Sequence, residues 1–304
     1  MTGTADGAVI IEAAINGTTR PDRNPHVPLA PEDIRADAHR CYDAGTGLIH
    51  AHHDTWGIPA EEAAARYAAA WAPLVAERPD ALWYPTIGSG PDIAARLGHL
   101  AMLCETAGLR VGICDAGSMN LTWADDDGLP ARGSGPYINS NDDIRYALDL
   151  CDRLQIGPSI AIYEPGWLNH VLAFWRNGKL PAGSMIKLYF GGPNGYFCRG
   201  RGVSFGLAPT AKALDAYLEM LEGCPVPWSV AVMGGDVLRT PVARLAIMAG
   251  GHLHLGLEDH WSEDPGRAHL TNEEIVGEAA ELARSCGREP ASCKETAEIL
   301  GLPR

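Results

Sequence analysis

The chain has 304 residues, 46% apolar and 20% charged, and its acidic residues outnumber basic ones 38 to 24 for a formal charge of −14. This is the composition of a soluble globular protein with material for a large core, and so acidic a surface argues against nucleic-acid and membrane partners. No apolar run approaches the roughly 18 residues of a membrane span. The segment Met1 to Ala8 lacks the basic and apolar regions of a signal peptide, and the eight scattered cysteines form no Cys-x-x-Cys pair. Reduced thiols in a cytoplasmic protein are expected.

Short β-rich runs alternate with longer helical patterns. The strand candidates begin at Val9 (VIIEAAI), Gly47 (GLIHAHH), Ala81 (ALWYPTI), Leu109 (LRVGICD), Ser159 (SIAIYE), Met185 (MIKLYF), Trp228 (WSVAVMG) and His252 (HLHLGLE). Helical signals separate them. PEDIRADAHRCYDAG opens with a proline suited to a first helical position and closes on Gly45. PAEEAAARYAAAWAPLVAE is alanine-rich with one apolar face, and TNEEIVGEAAELARS begins with the capping pattern Thr-x-x-Glu. NDDIRYALDLCDRL, PTAKALDAYLEMLEG and TPVARLAIMAGG repeat the pattern. Eight βα units without a Gly-x-Gly-x-x-Gly turn after the first strand predict a single (β/α)₈ TIM barrel over residues 1–304. EPASCKETAEILGLPR reads as its closing C-terminal helix.

Strand alternation sorts the polar side chains. His50 and His52 share one face of the second strand, and Glu12, Ala14 and Asn16 share one face of the first. On the eighth, His252, His254, Gly256 and Glu258 oppose a face of leucines that suits the helix layer. Strands one, two and eight are neighbours in a closed barrel, so these polar faces converge at the mouth, where barrel active sites lie. His-x-His plus a carboxylate from another strand supplies three ligands and leaves a position open, the pattern of a catalytic zinc site at His50, His52 and Glu258.

At these residues the chain resembles the beta-keto acid cleavage enzymes of the 3-keto-5-aminohexanoate cleavage type. The resemblance rests on AAING, CYDAGTGLIHAHH, DAGSMN, GPSIAIYEPG, AGGHLHLGLED and the tail TNEEIV…GREPASCKETAEILGL. It implies a zinc-dependent barrel, one Zn²⁺ per chain, assembled as a homo-oligomer (dimer or tetramer). Such an enzyme cleaves a β-keto acid with acetyl-CoA to give acetoacetate and an acyl-CoA. It also implies His50, His52 and Glu258 as ligands and Asp259 as a catalytic residue. His254 is a candidate to act with Asp259, but an extended strand sets it about 13 Å below Glu258. That depth favours Asp259 as the main base and a polar, hydrogen-bonding role for His254. Several family positions differ here. The glutamate after the first strand has no counterpart in Gly17-Thr18-Thr19-Arg20, an arginine is His254, a glutamate on the fifth strand is Ala161, and a serine after the third strand falls where Thr86 and Ser89 offer hydroxyls.

Other residues are candidates to fill those roles. Glu12 is placed to act as base, or to pair with a neighbouring histidine or lysine. Lys187 interrupts the apolar run MIKLYF, where an unpaired lysine is costly, so it either anchors a substrate carboxylate or pairs with Glu12. Tyr189 donates to an oxyanion or packs as an aromatic. Asn16 and Ser118 are candidate substrate contacts, and Asp115 a candidate turn cap. Arg199 and Arg201, in the glycine-rich stretch GGPNGYFCRGRGVSFG, bring positive charge to an anionic substrate or coenzyme A, or else belong to a solvated loop. Two other readings stand beside this one: a metal-dependent barrel hydrolase with water as acceptor, and a diverged metal-binding homologue without this activity.

Overall fold

The first strand, Ile11–Ala14, pairs in parallel with the second, Leu48–Ala51, on one side and with the eighth, His252–Leu255, on the other. From there the sheet continues through Trp228–Met233, Met185–Gly191, Gly157–Ile162 and Val111–Asp115 in one direction, and to Trp83–Pro85 in the other. All eight strands are parallel, and the third and fourth lie against each other at the seam, so the sheet forms a nearly closed (β/α)₈ barrel as expected. The computed structural model describes residues 7–133, 135–198 and 205–303.

Helices between successive strands cover the outside. Pro31–Ala44, Ala60–Glu77, Asn141–Leu154, Ala211–Met220, Pro241–Met248 and Asn272–Ser285 fall where the sequence places them. Two connections that the sequence reading left without a named helix are also helical: Ile93–Leu97 with His99–Thr106, and Pro165–Arg176. Trp71 stacks on Trp83 with ring planes 1° apart, fastening the second helix of the barrel to the third strand. The C-terminal helix Cys293–Leu300 starts with a Ser292–Glu295 capping box just after Ala291 N–H bonds to the Val9 carbonyl.

The eighth strand is shorter than expected, and this relocates the site. It ends at Leu255, so Glu258 is not on the strand face shared by His252 and His254. Gly256 adopts φ +137°, and a Cβ there would lie 2.3 Å from the Ala14 carbonyl oxygen. Only glycine fits that approach. Beyond it the chain turns, with Glu258 N–H bonded to Ala14 O and His260 N–H to Gly256 O. A fully extended strand would have set His254 about 13 Å below Glu258. The turn instead brings Asp259 back onto His254.

The irregular stretch after the fourth strand contains a short antiparallel hairpin, Met119–Asn120 with Pro136–Tyr137. Arg199 and Arg201 lie outside the described residues.

Candidate metal and keto acid site

His50 sits on the second strand and His52 directly beyond it. Their Nε2 atoms lie 3.5 Å and 3.3 Å from the two carboxylate oxygens of Glu258, and the three ligand atoms fall within 4.8 Å of one another. His50 Nδ1 faces the Tyr84 carbonyl at 3.3 Å, so the outer nitrogen is oriented by the backbone and Nε2 is left for a metal. Burial pushes the His50 imidazole down to about 3, keeping it neutral, the form that ligates. Both nitrogens of His52 and one oxygen of Glu258 are buried without a hydrogen-bond partner among the described residues. Orphaned buried groups of this kind are costly unless something binds them. The donor set therefore fits a metal ion.

Two neighbours fix this geometry. Gly17, at φ +53°, packs so closely on Glu258 that a Cβ would meet its Cγ at 2.3 Å. Any larger residue at position 17 would displace the Glu258 side chain. Asn16 was expected to touch substrate. Its Nδ2 donates to the carbonyls of Pro28 and His52, and its Oδ1 accepts from the amides of Gly17 and His52. With its amide so occupied, it positions His52 rather than binding substrate.

Beneath the metal residues lies a closed ionic network. Glu12 Oε1 accepts from Lys187 Nζ at 3.0 Å and from the Tyr84 hydroxyl, and His254 Nδ1 lies 2.8 Å away. His254 Nε2 in turn is 2.9 Å from Asp259 Oδ2 and 3.2 Å from the Tyr189 hydroxyl. Glu12 and His254 are fully buried, and Lys187 nearly so. Burial works against the Glu12 charge, but Lys187, His254 and Tyr84 outweigh it and hold the carboxyl well below the usual range. Burial likewise opposes the His254 charge, yet Glu12 and Asp259 win and its pKa is pushed up to about 8. Burial also raises the carboxyl of Asp259, against the pull of His254. Of the two expectations for Glu12, pairing with a histidine and a lysine is the one the geometry matches. The group is buried in the floor and does not line the cavity above it.

Above this floor opens a cavity of about 510 Å³, reached by His50, His52, Glu258, Lys187, Tyr189 and Thr86. Thr86 offers the hydroxyl there, whereas Ser89 accepts from the Gly57 amide outside it. Lys187 faces the cavity and also pairs with Glu12, so both of its expected roles are open to it. Ser118 exchanges hydrogen bonds with the backbone of Asn139 and does not line the cavity, so as a substrate contact it is corrected to a clasp on the hairpin. Asp259 and His254 stand one layer behind the wall. Asp259 keeps Oδ1 unpaired among the described residues, and Tyr189 connects the cavity to the same His254 nitrogen that holds Oδ2.

Sequence reasoning missed Tyr84, whose hydroxyl completes the Glu12 network. Its signal was present: Tyr84 is the register partner of His50, and an inward polar tyrosine belongs beside an inward histidine. It missed Tyr137 and Arg96 as well, because neither lies on a barrel strand.

Two histidines and a glutamate meeting at the mouth of a (β/α)₈ barrel, over a buried acid–base network, define a barrel enzyme with a possible metal centre. The sequence model of the beta-keto acid cleavage enzyme family matches residues 8–302, and the chain belongs to that family. It is 26% identical over 302 residues to a 3-keto-5-aminohexanoate cleavage enzyme of Fusobacterium nucleatum, covering 97% of this chain and 98% of the relative. It is 24% identical to a 3-oxoadipate:acetyl-CoA acetyltransferase of Cupriavidus necator, covering 97% and 95% respectively. Among solved structures, ObcA in binary complex with oxaloacetate superposes with a TM-score of 0.67 at 14% identity, over 92% of this chain and 68% of that one, a likeness of fold. The chain is an enzyme of the β-keto acid cleaving type. Among the described residues no helix is long and apolar enough to cross a membrane.

Proposed function

We propose that this enzyme binds one Zn²⁺ through His50, His52 and Glu258 and cleaves a β-keto acid with acetyl-CoA, releasing acetoacetate and an acyl-CoA. The observation that carries the reading is the convergence of three ligand atoms, two of the side chains holding orphaned polar atoms, on the wall of one cavity. The names of the relatives support the substrate class and the acetyl-CoA partner. When bound, a divalent ion there supplies Lewis-acid polarisation of the keto oxygen.

The chain's own residues supply the rest. Asp259 stands behind the wall with Oδ1 unpaired beside Glu258. On rotating into the cavity it is the base that takes a proton from the carbon between the keto and carboxylate groups. That carbon displaces coenzyme A from the acetyl group, the thiolate adds to the former keto carbon as the C–C bond breaks, and Asp259 returns the proton to the acetoacetate carbon. His254, clasped between Glu12 and Asp259, orients that carboxylate and balances its charge. Tyr189 faces substrate and shares the His254 nitrogen, so it donates to developing negative charge. Lys187 attracts the substrate carboxylate, and Thr86 offers it a hydroxyl. Arg201 is assigned by sequence alone to the anionic partner. The whole chain, residues 1–304, acts as one barrel domain, and assembly as a dimer or tetramer in the cytoplasm completes the proposal.

Purified enzyme loaded with zinc and given a panel of β-keto acids tests this. Acyl-CoA should form only when acetyl-CoA is supplied, and a chelator should abolish it. Acetate or acetoacetate released at the same rate without acetyl-CoA would transfer the reading to a hydrolase. A tightly held metal with no product from any acid would leave a binding protein.

A further inference from the structure

Resting on that reading, we infer that Asp115 and Tyr137 form a specificity subsite for a neutral hydrogen-bond donor, such as a hydroxyl, on the substrate's far end. Asp115 closes the fourth strand and faces the cavity, as do Tyr137 and Arg96. The Tyr137 hydroxyl donates to Asp115 Oδ2, which leaves Oδ1 without a partner among the described residues and not sealed from the cavity. The register partner of Asp115 on the fifth strand is Ala161, whose own partner on the sixth is Lys187. A side chain that small between them leaves the carboxyl uncovered. Asp115 is half-buried, and burial pushes its carboxyl up, so a ligand that covers Oδ1 without bonding to it removes its remaining solvent at a cost.

The charge balance of the wall selects the ligand. Arg96 sits 5.9 Å over the Tyr137 ring, and its hydrogen bonds go to two neutral groups, the Ile138 carbonyl and Asn139 Oδ1. Its charge therefore answers Asp115 through the intervening tyrosine. Lys187 is already matched by Glu12. A substrate ammonium would add a positive charge that this wall does not need, and a bare alkyl tail would leave Asp115 Oδ1 unpaired. A hydroxyl satisfies the carboxyl without changing the charge. Sites built to hydrogen-bond a substrate group reject analogues that lack it.

Calorimetric titration of the metal-loaded enzyme with hexanoate, 5-hydroxyhexanoate and 5-aminohexanoate tests this without requiring turnover. Wild type should bind the hydroxy acid about tenfold more tightly than hexanoate, with the amino acid weaker than the hydroxy acid. Asp115→Ala should erase the hydroxyl advantage, in part by tightening hexanoate once no carboxyl is left unpaired beneath its tail, and unchanged metal content and urea midpoint report a folded site. Tyr137→Phe, which leaves the carboxyl in place but loosens it, should narrow the gap. Equal binding of hexanoate and the hydroxy acid by wild type, an advantage that survives in Asp115→Ala, or tightest binding of the amino acid would each overturn the subsite. A binding preference that stands while 5-hydroxy-3-oxohexanoate is not cleaved would overturn the reaction assigned above and leave the subsite intact.

Discussion

Glu12 and His254 face each other at 2.8 Å in a fully buried floor, and they come from the first and eighth strands, whose register aligns them residue to residue. Each would be costly alone. With Lys187 on the same Glu12 oxygen and Asp259 on the far side of His254, two carboxylates and two cations neutralise one another. The network thereby fixes the side chain next to Glu258, linking core stability to the geometry of the candidate metal site.

Glu12→Gln removes the carboxylate from this network and leaves Lys187 and His254 buried without it. The expected cost is about 3–5 kcal/mol of folding stability, read as a lowered urea midpoint. A loss below about 1 kcal/mol would show that water or another group already serves these cations.

Gly256→Ala should be disproportionately harmful for the addition of one methyl group. The added methyl meets the Ala14 carbonyl at 2.3 Å in a backbone conformation that L-residues rarely adopt. A destabilisation above about 1 kcal/mol is expected. Because the turn carries Glu258, metal content should fall as well. Normal metal occupancy in a folded Gly256→Ala protein would mean that the turn does not set the ligand.

Asp259→Asn should retain metal and lose about 10²-fold or more in turnover. Tyr189→Phe, which removes only the donor facing substrate, should lose less. His254→Arg should change substrate preference more than metal content, because the larger cation must share its pocket with Lys187. Near-normal turnover by Asp259→Asn would remove the base from the scheme.

Much of this was legible in the residues. The alternation of Ile10 to Asn16 and of Leu48 to His52 depends only on strand periodicity, so it placed Glu12 and His50 inward correctly. The same rule failed at Glu258, where a glycine with positive φ ended the strand three residues early. His50, His52 and Glu258 still meet, because a tight turn, like a strand continuation, leaves Glu258 at the mouth. The depth of His254 did not survive, since it depended on extended geometry. Ser118 and Asn16 looked available because sequence shows a polar side chain but not the backbone groups that occupy it. Tyr137 and Arg96 were invisible for a different reason: their place in the cavity comes from a hairpin and a short helix, which carry no barrel periodicity.

The most direct test of the central claim follows the acetyl carbons. With acetyl-CoA labelled in its acetyl group, zinc-loaded wild type and a cleavable β-keto acid, the label should appear in acetoacetate while the new acyl-CoA stays unlabelled. His50→Ala, expected to lose its metal, should form neither product. Unlabelled acetoacetate, or full activity in a metal-free His50→Ala protein, would contradict the account.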